Sequence, residues 1–152
     1  MPGILSFVKK NYKKEDLGGL VKTLLKDLES SPVATVLLLD GDLGAGKTTF
    51  TQVLAEELGY SESVISPTFA IQKRYPITHG FFQNLIHIDA YRLKNSDEIE
   101  ALGWSEWIKN SGNLVVVEWP SIISDVLPKG VYKISFGHID EDTRNIEITY
   151  EK

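Results

Sequence analysis

The chain has 152 residues, 42% of them hydrophobic and 24% charged, which fits one packed globular domain spanning 1–152 and excludes a disordered polypeptide. A net charge of −5 argues against a main task of gripping a polyanion, because binding a phosphate backbone needs a concentrated positive field. The absence of cysteine excludes disulfides, thiolate catalysis and cysteine-ligated metal, and with no signal-peptide pattern and no apolar run near about 18 residues the chain reads as cytoplasmic, with no membrane partner.

Taken in chain order, KKNYKK at 9–14 is either a solvated face or a contact to nucleotide or RNA, the solvated face being the simpler reading. Leu17, Leu20, Val21, Leu24, Leu25 and Leu28 recur at steps of three and four, which predicts an amphipathic helix ended by Ser30-Ser31-Pro32. VATVLLLD then has no polar alternation and predicts a strand covered on both faces. A glycine loop follows, and Phe50, Val53, Leu54 and Leu58 share the face of a second helix stopped by Gly59. YPITHGFF at 75–82 is expected to be the longest loop. LIHID at 85–89 and NLVVVE at 113–118 read as strands, with the helical stretch SDEIEALGWSEWIK between them resembling a start capped by Ser96, short of a full capping box, and placing Trp104 and Trp107 in the core. At the C-terminal end, YKISFG and RNIEITYEK alternate apolar and polar residues around HIDEDT and predict a hairpin.

The glycine loop, GDLGAGKTTF at 41–50, matches G-x-x-x-x-G-K-[ST] without a mismatch and sits between strand and helix, as a phosphate-binding P-loop requires. Its glycines let successive backbone N–H groups face one point, the helix N-terminus adds positive potential, Lys47 reaches the outer phosphates, and Thr48 can ligate Mg2+. The elements and this loop together predict an α/β fold: a P-loop NTPase-like three-layer sandwich, with a mostly parallel central sheet flanked by helices and a C-terminal antiparallel hairpin.

Mg2+ keeps several waters, and those waters want carboxylate acceptors at a neighbouring strand end. Glu118 after Val115-Val116-Val117 fits that role, the plain alternative being an acid in solvent. Asp89 in HIDAYR either meets metal-bound water, orients the attacking water, or pairs with Arg92. Thr68 in SPTF is either a switch-like threonine or part of an ordinary turn. Trp119, directly after the strand-end acid, either shapes the site or packs. His79 and His87 stand too far apart in sequence to suggest a metal site, and a histidine in an apolar strand is usually a packed one.

No N/T-K-x-D guanine-reading motif follows the P-loop, and only Arg74, Arg92 and Arg144 lie beyond it, which is poor material for the arginine-rich lid of a small-molecule kinase. ATP hydrolysis is favoured over phosphoryl transfer to a metabolite; a nucleotide-dependent binding module without hydrolysis is the other competing reading.

The combination GDLGAGKTTF, SPTF, HIDAYRL, the ALGWSEW helix and VVVEWP resembles the bacterial TsaE family, formerly YjeE, over about residues 15–150. The resemblance implies a Mg2+-dependent ATPase, leaving ADP after hydrolysis, that supports threonylcarbamoyl modification of adenosine 37 in tRNAs reading ANN codons. It implies TsaD and TsaB as partners, with tRNA met indirectly through their complex and hydrolysis resetting that complex. By motif, Gly44, Ala45, Gly46, Lys47, Thr48 and Thr49 cradle the phosphates, and Thr48 and Glu118 hold the metal. Lys47, Thr68, Asp89 and Glu118 are the implied catalytic set, while Trp119 and Arg144 contact nucleotide. The adenine-contacting N-terminal positions match loosely at Asn11 to Glu15. Two departures stand out: a longer first helix region and the roomy loop expected in YPITHGFFQN.

Overall fold

The computed structural model describes residues 5–10, 14–42, 44–60, 62, 64, 71–138, 140 and 143–151, with backbone alone at 5–10 and 14. Strand β1 (Leu5–Lys10) and helix α1 (Lys14–Asp27) precede β2 (Thr35–Asp40) and α2 (Lys47–Glu57). Next come β3 (Gln72–His79), β4 (Phe82–Asp89), α3 (Ser96–Leu102), α4 (Trp104–Lys109) and β5 (Asn113–Glu118). A 3-10 segment (Pro120–Val126) leads into β6 (Val131–His138) and β7 (Thr143–Glu151).

Among the described residues, seven strands form one sheet in the order β1-β7-β6-β2-β5-β4-β3. Its centre, β6-β2-β5-β4, is parallel throughout, and β7, β1 and β3 add antiparallel margins. The expected C-terminal hairpin is therefore present as β6–β7, with β6 also serving as a parallel neighbour of β2. β1 was not anticipated; it pairs with the last strand of the chain, a partner that local pattern does not announce.

Alternate residues of the central strands divide the apolar interior into two layers. Leu37, Leu39, Leu85, Leu114 and Val116 face α1 and α2, where Leu17, Val21, Leu24, Phe50, Leu54 and Leu58 meet them. Val36, Leu38, Ile86, Ile88, Val115 and Val117 face the other way, toward Ile99, Trp104, Trp107 and Ile123. Each such side chain removed from water contributes about 1.5–3 kcal/mol before entropy is counted. This is why β2 and β5 read as unbroken apolar runs: both of their faces are covered.

Three expectations need correction. YPITHGFF is no loop: β3 runs through His79, Gly80 (φ 58°) and Phe81 make the turn, and β4 starts at Phe82. Tyr75 and Ile77 are buried while Pro76, Thr78 and His79 are exposed, which is strand alternation, and Pro76 is tolerated because β3 is an edge strand with a register shift beside it. Ser96 does not cap α3 from outside; Asn95 holds that position without a side-chain bond, and the Ser96 hydroxyl donates to Asp125 Oδ2 at 2.7 Å, tying α3 to the 3-10 segment. SDEIEALGWSEWIK is two helices, because Gly103 adopts φ 114° and ends α3 as it begins α4.

A Cβ at Gly103 would stand 3.2 Å from Trp107 Nε1, in a backbone conformation that L residues rarely adopt. Gly103→Ala is expected to cost about 1–3 kcal/mol, read as a lower urea midpoint at unchanged slope. An unchanged midpoint would show that the break between the helices does not depend on glycine.

Candidate functional site

The loop between β2 and α2 is shaped by close approach. A Cβ on Gly41 would lie 3.0 Å from Phe136 Cβ and 3.1 Å from the Phe136 carbonyl oxygen, so β6 leaves no room for a side chain there. Gly44 (φ 77°) and Gly46 (φ 104°) take left-handed conformations, and the Ala45 N–H donates to the Asp42 carbonyl at 3.0 Å to close the turn. Leu43 lies outside the described residues. Gly46 precedes α2 with no side-chain cap, and the first turn of α2 contains no acid. The N-terminal N–H groups and their positive potential are thus left for an anion from outside the chain. Thr48 and Thr49 sit in that first turn, half-buried.

Lys47 is only 5% exposed. Its Nζ donates to the Gly41 carbonyl at 2.6 Å and lies 3.8 Å from the centroid of the Trp119 ring. Burial pushes its pKa below the ordinary lysine value, against the opposing pull of Glu118, Asp89, Asp40 and Asp42, which favour the charged form. The lysine is therefore a desolvated cation held by one carbonyl and one aromatic face.

The two acids arrive from neighbouring strands. Asp89 and Glu118 are register partners at the ends of β4 and β5, so they share the sheet face that carries α2. Both are buried, at 7% and 4% exposure, which removes the reading of Glu118 as a strand-end acid in solvent. Asp89 Oδ1 accepts the Tyr91 N–H at 3.0 Å, and Glu118 Oε2 stands 2.6 Å from His87 Nε2. Trp119 follows in the left-handed region at φ 59°, where a bulky residue is strained, and this turn lays its ring over Lys47 and 5.1 Å from the Tyr91 ring. Trp104 and Trp107 are core, as expected.

Arg144 reaches across from β7 and donates from Nη1 to the Gly44 carbonyl at 3.2 Å, which puts the C-terminal hairpin against the P-loop. Thr68 and the rest of SPTF lie outside the described residues, as do residues 11–13 of the N-terminal segment. Sequence reasoning treated His87 as an ordinary packed histidine and missed its bond to Glu118. The signal was there in period two: His87 and Asp89 share a strand face, and a parallel neighbour ending in Glu118 sets that carboxylate beside both.

Among the described residues no cluster of three histidine or acidic side chains is ready to cage a metal. The donors present are one hydroxyl, Thr48, and the carboxylates Glu118 and Asp89. That all-oxygen, incomplete set fits Mg2+, which retains waters and takes further oxygens from phosphate.

A family profile described as threonylcarbamoyl adenosine biosynthesis protein TsaE matches residues 11–146. The chain belongs to the TsaE family. Proteins named tRNA threonylcarbamoyladenosine biosynthesis protein TsaE are similar along most of it. The Bacillus subtilis protein is 44% identical over 114 residues, covering 75% of this chain and 68% of that one. The Rickettsia bellii protein is 39% identical, covering 76% and 78%. The Rickettsia prowazekii protein is 34% identical, covering 93% and 92%. The crystal structure of Bacillus subtilis YdiB superposes with a TM-score of 0.71 at 30% identity, covering 99% of this chain and 88% of that one. The TsaE match encloses the P-loop, Asp89, Glu118, Trp119 and Arg144. No helix among the described residues is long and apolar enough to cross a membrane.

Proposed function

We propose that this TsaE-family chain is a single-domain, Mg2+-dependent ATPase of the cytoplasm that supports threonylcarbamoyladenosine formation at position 37 of tRNAs reading ANN codons. It acts with TsaD and TsaB, and its hydrolysis resets their complex. The observation that carries the chemistry is the convergence of an uncapped helix N-terminus, a buried Lys47 and two buried strand-end carboxylates on one sheet face. The names of the relatives carry the pathway.

In this reading the backbone N–H groups of Gly44 to Thr49 receive the phosphates at the head of α2. Lys47 leaves the Gly41 carbonyl and the Trp119 ring and neutralises charge developing on the transferred phosphoryl oxygens. Asp89 places the attacking water in line with the γ-phosphate, and Thr68 takes the role of a switch-like threonine, one that would turn to Mg2+ when the γ-phosphate is present. Thr48 and Glu118 would hold Mg2+, which supplies charge neutralisation across the phosphate oxygens. Trp119 and Arg144 border the nucleotide. No arginine is placed as a finger among the described groups of the site, so hydrolysis by the isolated chain is slow and the partner complex speeds it. A net charge of −5 agrees with tRNA being held by the partners.

Phosphate release from ATP and Mg2+ by wild type and Thr48→Ala, each alone and with TsaD and TsaB, tests the proposal. Partner-stimulated release that falls by about 100-fold or more in the variant is expected. ATP binding with no release under any condition would replace it with a nucleotide-dependent binding module, and phosphate appearing on an added acceptor would make the chain a kinase.

A further inference from the structure

His87 has no exposed surface. It lies on β4 two residues before Asp89, with Val116 as its register partner, one pleat below Glu118. On the side away from Asp89 and Glu118 its neighbours on that face, Leu85, Leu114 and Val116, are apolar, so packing there is equally served by a leucine. The imidazole instead leaves Nδ1 buried with no hydrogen-bond partner among the described residues, while Nε2 bonds Glu118 Oε2 at 2.6 Å. Toward an ionised carboxylate, which only accepts, Nε2–H is the donor, and Nδ1 is the nitrogen left without a partner. Leaving a buried polar atom unsatisfied costs about 1–3 kcal/mol, and a native structure that keeps such an atom calls for a reason.

We propose that His87 is a positioning residue that pins one carboxylate oxygen of Glu118 and leaves the other to face the Mg2+–nucleotide. The proposal rests on the nucleotide reading of the site. A glutamate at a strand end carries three side-chain torsions, and its free swing is an entropic cost that must be met on each metal binding. Here the bond from below removes that freedom in advance. It also acts against the attraction of the Lys47 ammonium, on which Glu118 exerts the largest pull of the neighbouring carboxylates. Ligand-holding groups of this kind, placed behind a metal ligand, change metal affinity when removed.

The test compares two amides of different reach. His87→Gln carries its amide nitrogen to the position of Nε2, whereas His87→Asn ends near the position of Nδ1 and falls short of Glu118. ADP binding is titrated calorimetrically in EDTA and in Mg2+, and the ratio of the two affinities is the readout. Wild type and His87→Gln are expected to show the same Mg2+-dependent tightening. His87→Asn is expected to lose about 10- to 100-fold of it while its metal-free ADP affinity stays unchanged, which a merely structural defect would not produce. Full tightening in His87→Asn overturns the role of His87, as does loss of tightening in a His87→Gln protein that melts like wild type; the second result decides the matter even if His87→Asn does not fold. No Mg2+-dependent tightening in wild type overturns the nucleotide–metal reading itself.

Discussion

Lys47→Ala is expected to reduce phosphate release from ATP by about 100- to 1,000-fold, the usual effect of removing one preorganised electrostatic stabiliser from a transition state. The loss in binding is expected to be smaller but still large, because the glycine-rich backbone and the head of α2 remain while one charge-assisted contact, worth about 1.5–3 kcal/mol, disappears. The resting position of the lysine supports this ordering. With Nζ on the Gly41 carbonyl and over Trp119, Lys47 is already largely stripped of water, so under the proposed reading a move to a phosphate would exchange weak partners for a strong one and require little further desolvation. Titration of ATP with the hydrolysis rate followed in parallel separates the two effects. A variant that retains wild-type turnover would remove the P-loop from the chemistry and with it the proposed ATPase.

Trp104→Ala is expected to destabilise the fold by about 3–5 kcal/mol, lowering the thermal midpoint by about 10 °C. The indole is 2% exposed in the layer that α3, α4 and the 3-10 segment build over Val115 and Val117, and its Nε1–H donates to the Val126 carbonyl at 3.1 Å. Truncation removes the apolar contact, leaves a cavity between several elements, and strands a carbonyl. Circular dichroism on heating reads the shift. A change of only a degree or two would mean that the helices re-close over the gap and that this layer is softer than its burial implies.

What the sequence disclosed and what it hid divide along a physical line. Period and composition are local, so the buried run of β2, the Phe50–Leu58 face of α2, the valine strand β5 and the alternating hairpin β6–β7 were all readable. The glycine loop between β2 and α2 was readable because its residue types stand at a set spacing between an apolar run and a helical face. Pro76 and Gly80 looked like loop punctuation, yet on an edge strand and in a hairpin turn both are at home. Gly103 lies within a stretch whose pattern predicts one helix, whereas its positive φ divides it into two. Long-range pairings left no local mark: β1 against β7, Lys47 against Trp119, Arg144 against Gly44, and His87 against Glu118 across 31 positions. These depend on which strands become neighbours and in what register.

Strand β5 shows how little the apolar residues alone decide. Leu114 and Val116 fill one layer, Val115 and Val117 the other, and side chains so alike would fill either layer almost equally well. Cohesion is supplied in plenty, but direction is not. The frame is marked by the two polar ends of the strand. Asn113, 2% exposed, donates to the Trp107 carbonyl at 3.0 Å and accepts from Asn84 at 3.1 Å, while Glu118 is held by His87. A slip by one residue would turn both to the opposite layers, setting a carboxylate between Leu38 and Ile88 and an amide where nothing awaits it. The bonds that hold Asn113 and Glu118 at the two ends of β5 are thus also the index marks by which an otherwise ambiguous strand is aligned.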